Sequence, residues 1–435
     1  MTQSSGSVYP NKVSVQNSRQ KKCYICQYIL LSPHAQYPSL CKPCGEYNLA
    51  SSALSLPANL RLHGKTALVT GGRVNLGYHT ALRLLRCGAQ VIVSTRYPHD
   101  AETRYSAEPD FIAWAQRLKI VGADFRAASD VFHLVKVVKE CLMEWNNAKT
   151  PKLDILINNA AQTLTDSLEK EDQAVKREST LRVEASKTQN LLTEGYTARI
   201  RGGVKTSTSL ASRQQQTLSY GTSHNDNRET TQTREALEIS QGATKPLDTS
   251  PSSWLQSIHQ IPYEDVISAH SVNTFVPLIL LREFLPIMSS ETGTSKIETT
   301  ASKASSHIIN VSSREGIFES NPKSASKNGK HVHTNLTKAA LNMLTETEAG
   351  PAWKHGKVAI NSVDPGFMSA APEVEKQWKE KEGDSWTCPI GWEDGAGRVL
   401  WPIAVSESGK GAVWGRFLKH FGAVEIDVGI GRWKW

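Results

Sequence analysis

From Lys65 onward, short apolar runs alternate with stretches in which apolar residues recur every three or four positions. Residues 66–70 (TALVT), 90–95 (QVIVST), 118–124 (LKIVGAD) and 153–159 (LDILINN) are near-continuous apolar runs bounded by turn residues, the pattern of strands covered on both faces. Between the third and fourth, Val131, Leu134, Val135, Val138 and Leu142 fall at helical spacing and give one apolar stripe to lay on a sheet. Further on, 272–288 (VNTFVPLILLREFLPIM) reads as a helix, 306–313 (SHIINVSS) as a strand, 335–350 as a helix and 358–366 (VAINSVDPG) as a strand. Strands alternating with helices in this order predict an α/β domain built on a doubly wound parallel sheet.

The alternation fails in two places. Residues 1–20 are dominated by polar residues and read as a disordered tail. Residues 164–252 are rich in Ser, Thr, Gln, Glu and Arg, with Tyr196 and Tyr220 as the only aromatics. A structureless stretch of that length is improbable inside a compact domain, so it reads as a disordered surface insertion whose ends lie close together. The expected organisation is therefore a tail (1–20), a cysteine-bearing segment (21–50) and one large domain (60–435) interrupted at 164–252. Seven of the eleven tryptophans fall in the last seventy residues, where packing is the expected role for most.

The formal charge of +8 raises the question of nucleic acid, but its distribution argues against it. Lys12, Arg19, Lys21, Lys22 and Lys42 against Glu46 account for about half the excess within residues 1–60, and no block of five or six like charges occurs. No uninterrupted apolar run approaches the roughly 20 residues of a membrane span, and the polar start shows no secretory leader. The expected setting is cytoplasmic, with the nucleus left open.

Residues 66–88 join a strand, a Gly-rich turn and an amphipathic helix. That order matters because a helix N-terminus offers unpaired N–H groups to a pyrophosphate, while Gly71 and Gly77 let the backbone come close to it. Four motifs then agree. The run 70–77 (TGGRVNLG) resembles the T-G-x-x-x-G-x-G loop of the short-chain dehydrogenase/reductase family, with Asn75 and Leu76 inside it and Asn75 where a glycine usually stands. Asn tolerates left-handed backbone angles better than most residues. The run 158–161 (NNAA) resembles the family's N-N-A-G, placing Asn159, Ala160 and Ala161 at the cofactor. Asp124 and Phe125 match its adenine position, and Pro365 and Gly366 its segment beside the nicotinamide. The resemblance covers roughly 65–163 and 253–370 and implies a Rossmann fold, a dinucleotide and an organic substrate. It also implies pairing of copies through the helices around Lys338, a surface that the insertion is long enough to cover.

Cofactor choice turns on the end of the second strand, where NAD sites place a carboxylate for the ribose hydroxyls. Here stand Thr95 and Arg96, with Arg73 in the glycine loop. Two guanidinium groups suit a 2′-phosphate, so NADP(H) is the expected cofactor; the plainer alternative is that both arginines face solvent.

The family's chemistry implies Ser313 polarising a carbonyl, Asn273 supporting a water relay, and Lys338 holding the ribose and assisting a tyrosine four residues before it. That position is Thr334, and an aliphatic hydroxyl is a far poorer proton donor than a phenol of pKa about 10. His331 and His333 precede it, and an imidazolium is a competent acid near neutrality. His333 is taken as the candidate donor, the alternative being two loop histidines without chemistry.

Cys23-x-x-Cys26 and Cys41-x-x-Cys44 stand fourteen residues apart, a spacing that lets four thiolates surround one structural Zn²⁺; four reduced free cysteines are the alternative. Three functions remain: an NADP(H)-dependent oxidoreductase acting on a small carbonyl or alcohol, a catalytically inactive NADP(H)-binding sensor or scaffold, and a basic zinc module contacting nucleic acid. Ser313, Asn273 and Lys338 favour the first, because a scaffold has no physical need of them.

Overall fold

The structure, a computed structural model, describes residues 21–425 except 148, 185–189, 202–253, 290–302, 319–326, 328, 369–371 and 385. The cysteine-bearing segment leads into α1 (Lys42–Ala53), and then strands and helices alternate. β1 (Thr66–Thr70), α2 (Asn75–Arg86), β2 (Gln90–Thr95), α3 (Pro98–Ser106), the single turn α4 (Phe111–Trp114), β3 (Leu118–Gly122), α5 (Ala128–Asn146) and β4 (Ile155–Asn158) form the first half. α6 (Leu168–Glu184) and β5 (Leu191–Leu192) follow. The second half holds α7 (Tyr263–His270), α8 (Val276–Met288), β6 (Ser306–Val311), α9 (Val332–Gly356), β7 (Val358–Asp364), α10 (Pro372–Glu382), α11 (Trp392–Glu407), β8 (Phe417–Lys419) and β9 (Gly422–Ala423).

The nine strands form one sheet in the order β5-β3-β2-β1-β4-β6-β7-β8-β9. Every pairing is parallel except the terminal β8–β9 hairpin. Side chains leave a strand on alternate faces, so Ala67 and Val69 of β1 join a core with α2 and α11, while Leu68 joins one with α5, α8 and α9. The expected α stripe of 131–142 is buried in that second core. The doubly wound parallel sheet is thus as the apolar pattern predicts.

Two elements depart from the expected boundaries. The helix expected at 272–288 begins earlier: α7 continues through a π-helical turn, Ser271–Phe275, into α8. By length and composition Tyr263–Met288 is apolar enough to cross a membrane, but Val276, Leu280, Phe284 and Met288 are buried against the sheet.

The second departure is larger. The polar stretch expected to be structureless, 164–252, carries α6 and the edge strand β5, and 185–189 and 202–252 of it lie outside the described residues. α6 has little apolar periodicity because charges dock it. Glu178 accepts from the His99 and Asp100 backbone N–H groups at 2.7 and 3.0 Å, closing the otherwise uncapped start of α3. Tyr196, buried, lies flat against Gly122, where any Cβ would meet its ring at 2.2 Å, and donates to the Arg96 carbonyl at 2.9 Å. The tyrosine among polar residues is the anchor that returns this segment to the sheet.

Candidate cofactor and active site

Strand order reverses on the two sides of β1, so the loops after β1 and β4 part there and open a crevice at the carboxyl edge, the usual ligand position in such sheets. Thr70 ties the two loops: its hydroxyl accepts the N–H groups of Asn159 and Ala160 at 3.0 and 2.9 Å. Asn159 in turn donates to the Thr70 carbonyl at 2.9 Å. The loops approach so closely that a Cβ on Gly71 would lie 2.9 Å from the Ala160 Cα, and one on Gly77 2.2 Å from the Gly71 carbonyl oxygen. Asn75 adopts φ +55°, the left-handed angle that its amide side chain tolerates. No side chain caps α2, so its first N–H groups face a cleft of about 1160 Å³ and offer a ready anion site.

At one end of this cleft lie Thr95, Arg96, Arg73, Asp124 and Phe125. Arg73 and Arg96 both lie over the Tyr97 ring, at 5.0 and 5.4 Å from its centroid. Neither is simply solvated: Arg73 pairs with Asp100 at 2.6 Å and Arg96 with Glu171 at 3.3 Å. Burial would raise the Asp100 carboxyl, but Arg73 and Arg104 outweigh it and hold the group below its usual range. Glu171, almost fully buried on α6, also holds Arg126 at 3.0 Å. Arg126 in turn grips Asp124 at 2.7 Å. Sequence reasoning passes over Glu171 and Arg126. Glu171 sits in the stretch read as structureless, and nothing local signals that a polar helix returns to the cleft.

At the other end, Lys338 on α9 and Ser313 after β6 line the cleft, with Pro365 and Gly366 after β7 beside them. Lys338 Nζ donates to the Val311 carbonyl at 2.8 Å, and burial lowers its pKa to about 8, partly offset by Asp364. Ser313 Oγ accepts the Glu315 N–H at 3.0 Å and keeps its own proton to donate. Asp364 underlies the site: Lys419 contacts it at 2.7 Å, and the Arg314 and Gly366 N–H groups donate to it at 3.0 and 2.8 Å.

Asn273 does not line the cleft. It accepts the Gln162 N–H at 2.7 Å and donates to Thr337 Oγ1 at 3.0 Å, bracing α9 against the loop after β4 from within the π-helical turn. Thr334 lines the cleft with an unpartnered hydroxyl. His333 is a correction. It is buried away from the cleft, and burial and neighbouring His331 lower its pKa, so it is a poor acid in a place with no access to substrate. The reason is geometric: α9 starts at Val332, three residues before the expected helix, so 333 turns inward while His331 precedes the first turn and faces the cleft.

The cysteine segment closes the same end. Cys23, Cys26, Cys41 and Cys44 have sulfurs all within 4.8 Å of one another, with Cys26 and Cys41 at 3.8 Å. Four sulfurs about 2.3 Å from one zinc would sit about 3.8 Å apart at tetrahedral angles, so the donor set fits the ion. Burial pushes the Cys23 thiol up, but the N–H groups of Cys41, Cys26 and Ile25 outweigh it and hold it at about 7. Tyr24, between the first two cysteines, reaches into the cleft, where its hydroxyl accepts the Phe367 N–H at 2.6 Å. Tyr37 Oη donates to Asp394 at 2.6 Å, and Asn48 of α1 accepts from Arg398 at 2.8 Å. That arginine, buried, donates also to the Pro365 carbonyl at 3.1 Å.

Parallel sheet, open helix N-terminus and paired loops at the switch point form a crevice of the kind that holds ligands in α/β sheets. Residues 65–223 match the model of the short chain dehydrogenase family. An uncharacterized protein of Acanthamoeba polyphaga mimivirus is 27% identical over 425 residues, covering 94% of this chain and 77% of that one. Retinol dehydrogenase 14 of Mus musculus is 33% identical over 127 residues, covering 26% of this chain and 36% of its own. Among solved structures, a short chain dehydrogenase from Burkholderia cenocepacia in complex with NADP is 16% identical, covers 82% of this chain and 97% of that one, and has a TM-score of 0.47.

Proposed function

We propose that this protein is an NADP(H)-dependent oxidoreductase that moves hydride between the dinucleotide and a small organic carbonyl or alcohol. The carrying observation is the meeting of Ser313 and Lys338 at one end of the cleft whose middle holds the open start of α2. The nicotinamide supplies or accepts the hydride when bound. The chain's part is to bind the pyrophosphate on α2, hold the ribose with Lys338 and polarise the substrate oxygen with Ser313. Preference for the phosphorylated cofactor rests on Arg73 and Arg96 beside Tyr97. A 2′-phosphate would compete with Asp100 and Glu171 for their guanidinium groups, and no carboxylate belonging to β2 itself stands there for a bare ribose. Calorimetric titration tests this reading. NADPH is expected to bind at least tenfold tighter than NADH, and Arg96→Ala to narrow the gap, since a charge-assisted contact is worth about 1.5–3 kcal/mol. No binding of either nucleotide would sink the reading.

Thr334 favours a second reading, in which the protein binds NADPH without turnover and acts as a sensor or scaffold. Binding without reduction of any carbonyl compound would select it. The four sulfurs support a structural Zn²⁺, and metal analysis is expected to return one zinc per chain. Copies are proposed to pair through α7, α8 and α9, where Ile267, Phe275, Leu278, Leu336 and Met343 are exposed. Light scattering on the eluting protein is then expected to give a multiple of 47.9 kDa.

A further inference from the structure

The oxidoreductase reading leaves one role empty: with threonine at 334, no phenol stands four residues before Lys338, and the Tyr24 hydroxyl that reaches the cleft accepts the Phe367 N–H. Among the groups facing the cleft, Lys338 is committed to the Val311 carbonyl, and the Thr334 hydroxyl is too weak an acid. His331 is placed differently. It is the residue before α9, held at φ +43°, an angle uncommon for a residue with a side chain and concentrated at functional sites. Several contacts over-determine that strained position. The Trp254 ring stacks on the imidazole at 4.0 Å and 7°, the His331 N–H donates to the Gln256 carbonyl at 3.2 Å, and the Thr334 N–H returns to the His331 carbonyl at 3.0 Å.

The ring's two nitrogens are set apart by their surroundings. Nδ1 lies 3.0 Å from the Trp254 carbonyl oxygen, which can only accept, so in the neutral ring Nδ1 carries the hydrogen and Nε2 the lone pair. Nε2 faces Glu315 Oε2 at 3.6 Å, too long for a hydrogen bond. Both atoms are buried without any partner. The two atoms are both acceptors while the ring is neutral and a donor and an acceptor once Nε2 is protonated; a third polar atom that can donate to one or accept from the other fits between them. The Glu315 turn is fixed to the site on both sides. Ser313 Oγ accepts the Glu315 N–H, and Gly316 lies so near α9 that a Cβ there would meet the Lys338 backbone at 2.5 Å.

We propose that His331, held by the Trp254 carbonyl and faced by Glu315, is the catalytic acid and base that exchanges the proton with the substrate oxygen. In reduction, the carbonyl carbon gains a hydride from the reduced dinucleotide. The oxygen gains the proton on Nε2, so an O–H bond forms as the N–H bond breaks, leaving a neutral imidazole that solvent reprotonates. In alcohol oxidation Nε2 takes the hydroxyl proton. Among the described residues, the titratable groups facing the imidazole are Glu315 from the turn after β6 and His333 from α9 itself; from the segment before α7 the Trp254 indole stacks on it and the Trp254 carbonyl lies at Nδ1.

The proposal rests on the oxidoreductase reading, and the test separates the two. His331→Asn keeps a short amide that tolerates the left-handed angle and can still donate to the Trp254 carbonyl, while deleting Nε2. Wild type, His331→Asn, Glu315→Gln and Tyr24→Phe are titrated with NADPH and assayed with it on a panel of aldehydes, ketones and quinones. Imidazole tautomers are read by ¹⁵N NMR, with His331→Asn assigning the signal. His331→Asn is expected to bind NADPH as wild type does, to lose on the order of 100-fold or more in kcat, and to lose the alkaline limb of the reduction profile. Glu315→Gln is expected to lower kcat without weakening NADPH binding. The His331 ring is expected to be Nδ1–H when neutral. Unchanged kcat in His331→Asn, an Nε2–H tautomer, loss of turnover in Tyr24→Phe alone, or NADPH binding with no turnover on any carbonyl would each overturn the proposal. Absent NADPH binding would instead fall on the oxidoreductase reading.

Discussion

Lys338 stands inside the protein with its ammonium group on one carbonyl, and burial holds its pKa near 8 rather than 10.5. A lowered pKa on a cation means that the fold resists the charged form. The penalty is complete below pH 8 and fades as pH rises from about 8 to 10.5, where the unfolded chain binds more protons than the folded one. Lys338→Met should therefore stabilise the protein at pH 7, by about 3 kcal/mol if the whole difference is recovered, while abolishing turnover. Thermal melts at pH 7 and 10.5 check the sign, since the gain should shrink at the higher pH; an equal gain at both would refute it. Thr334→Ala removes only an unpartnered hydroxyl and should lower kcat far less than Lys338→Ala. Equal, complete loss in the two would make the threonine the donor. At this scale the sequence was informative where backbone chemistry decides, as at Asn75 with its φ of +55°. It was misleading at His333, because two histidines two positions apart take opposite sides of a helix start that no local signal marks.

The same distinction separates the elements. Helices and strands that bury apolar stripes were legible, since α2, α5 and the six central strands announce themselves by spacing alone. α6 was not, because carboxylates rather than methyl groups hold it down. Glu178 is almost fully buried and gives its oxygens to the first N–H groups of α3 and to His99 Nδ1 at 2.8 Å. Glu178→Ala should remove that cap and leave buried donors unmet, at about 1–3 kcal/mol. Hydrogen exchange is expected to accelerate across 168–184 and the start of α3 while β1 and β4 stay protected. Uniform acceleration over the sheet would show that α6 is part of the global core instead. The expectation of disorder from 164 failed for this reason: composition measures apolar driving force and is silent on charges that meet partners far away in sequence, as Glu171 meets Arg96 and Arg126, 75 and 45 residues before it.

Across the whole molecule, the cysteine segment is the least legible part in role and the clearest in chemistry. Spacing predicts four thiolates around one ion, and the structure brings the sulfurs together. That the segment walls the cofactor cleft depends on contacts more than 340 positions apart in sequence, Tyr24 with Phe367 and Tyr37 with Asp394. Two routes lead from it to the loop after β7. One is the Tyr24 hydroxyl on the Phe367 N–H; the other runs through Asn48 and Arg398 to the Pro365 carbonyl. So few residues cannot bury a core of their own, and folding there should depend on the metal. Chelation should then loosen the loop at the nicotinamide end, lower the melting temperature and weaken NADPH binding. Because coupling between two ligands is reciprocal, NADPH should raise the affinity for zinc by the same factor that zinc raises the affinity for NADPH. Tyr24→Phe isolates the first route: zinc content should be unchanged, while NADPH affinity falls and the coupling factor moves toward one. A variant that binds NADPH as wild type does, with coupling intact, would leave the Arg398 route as the one that transmits.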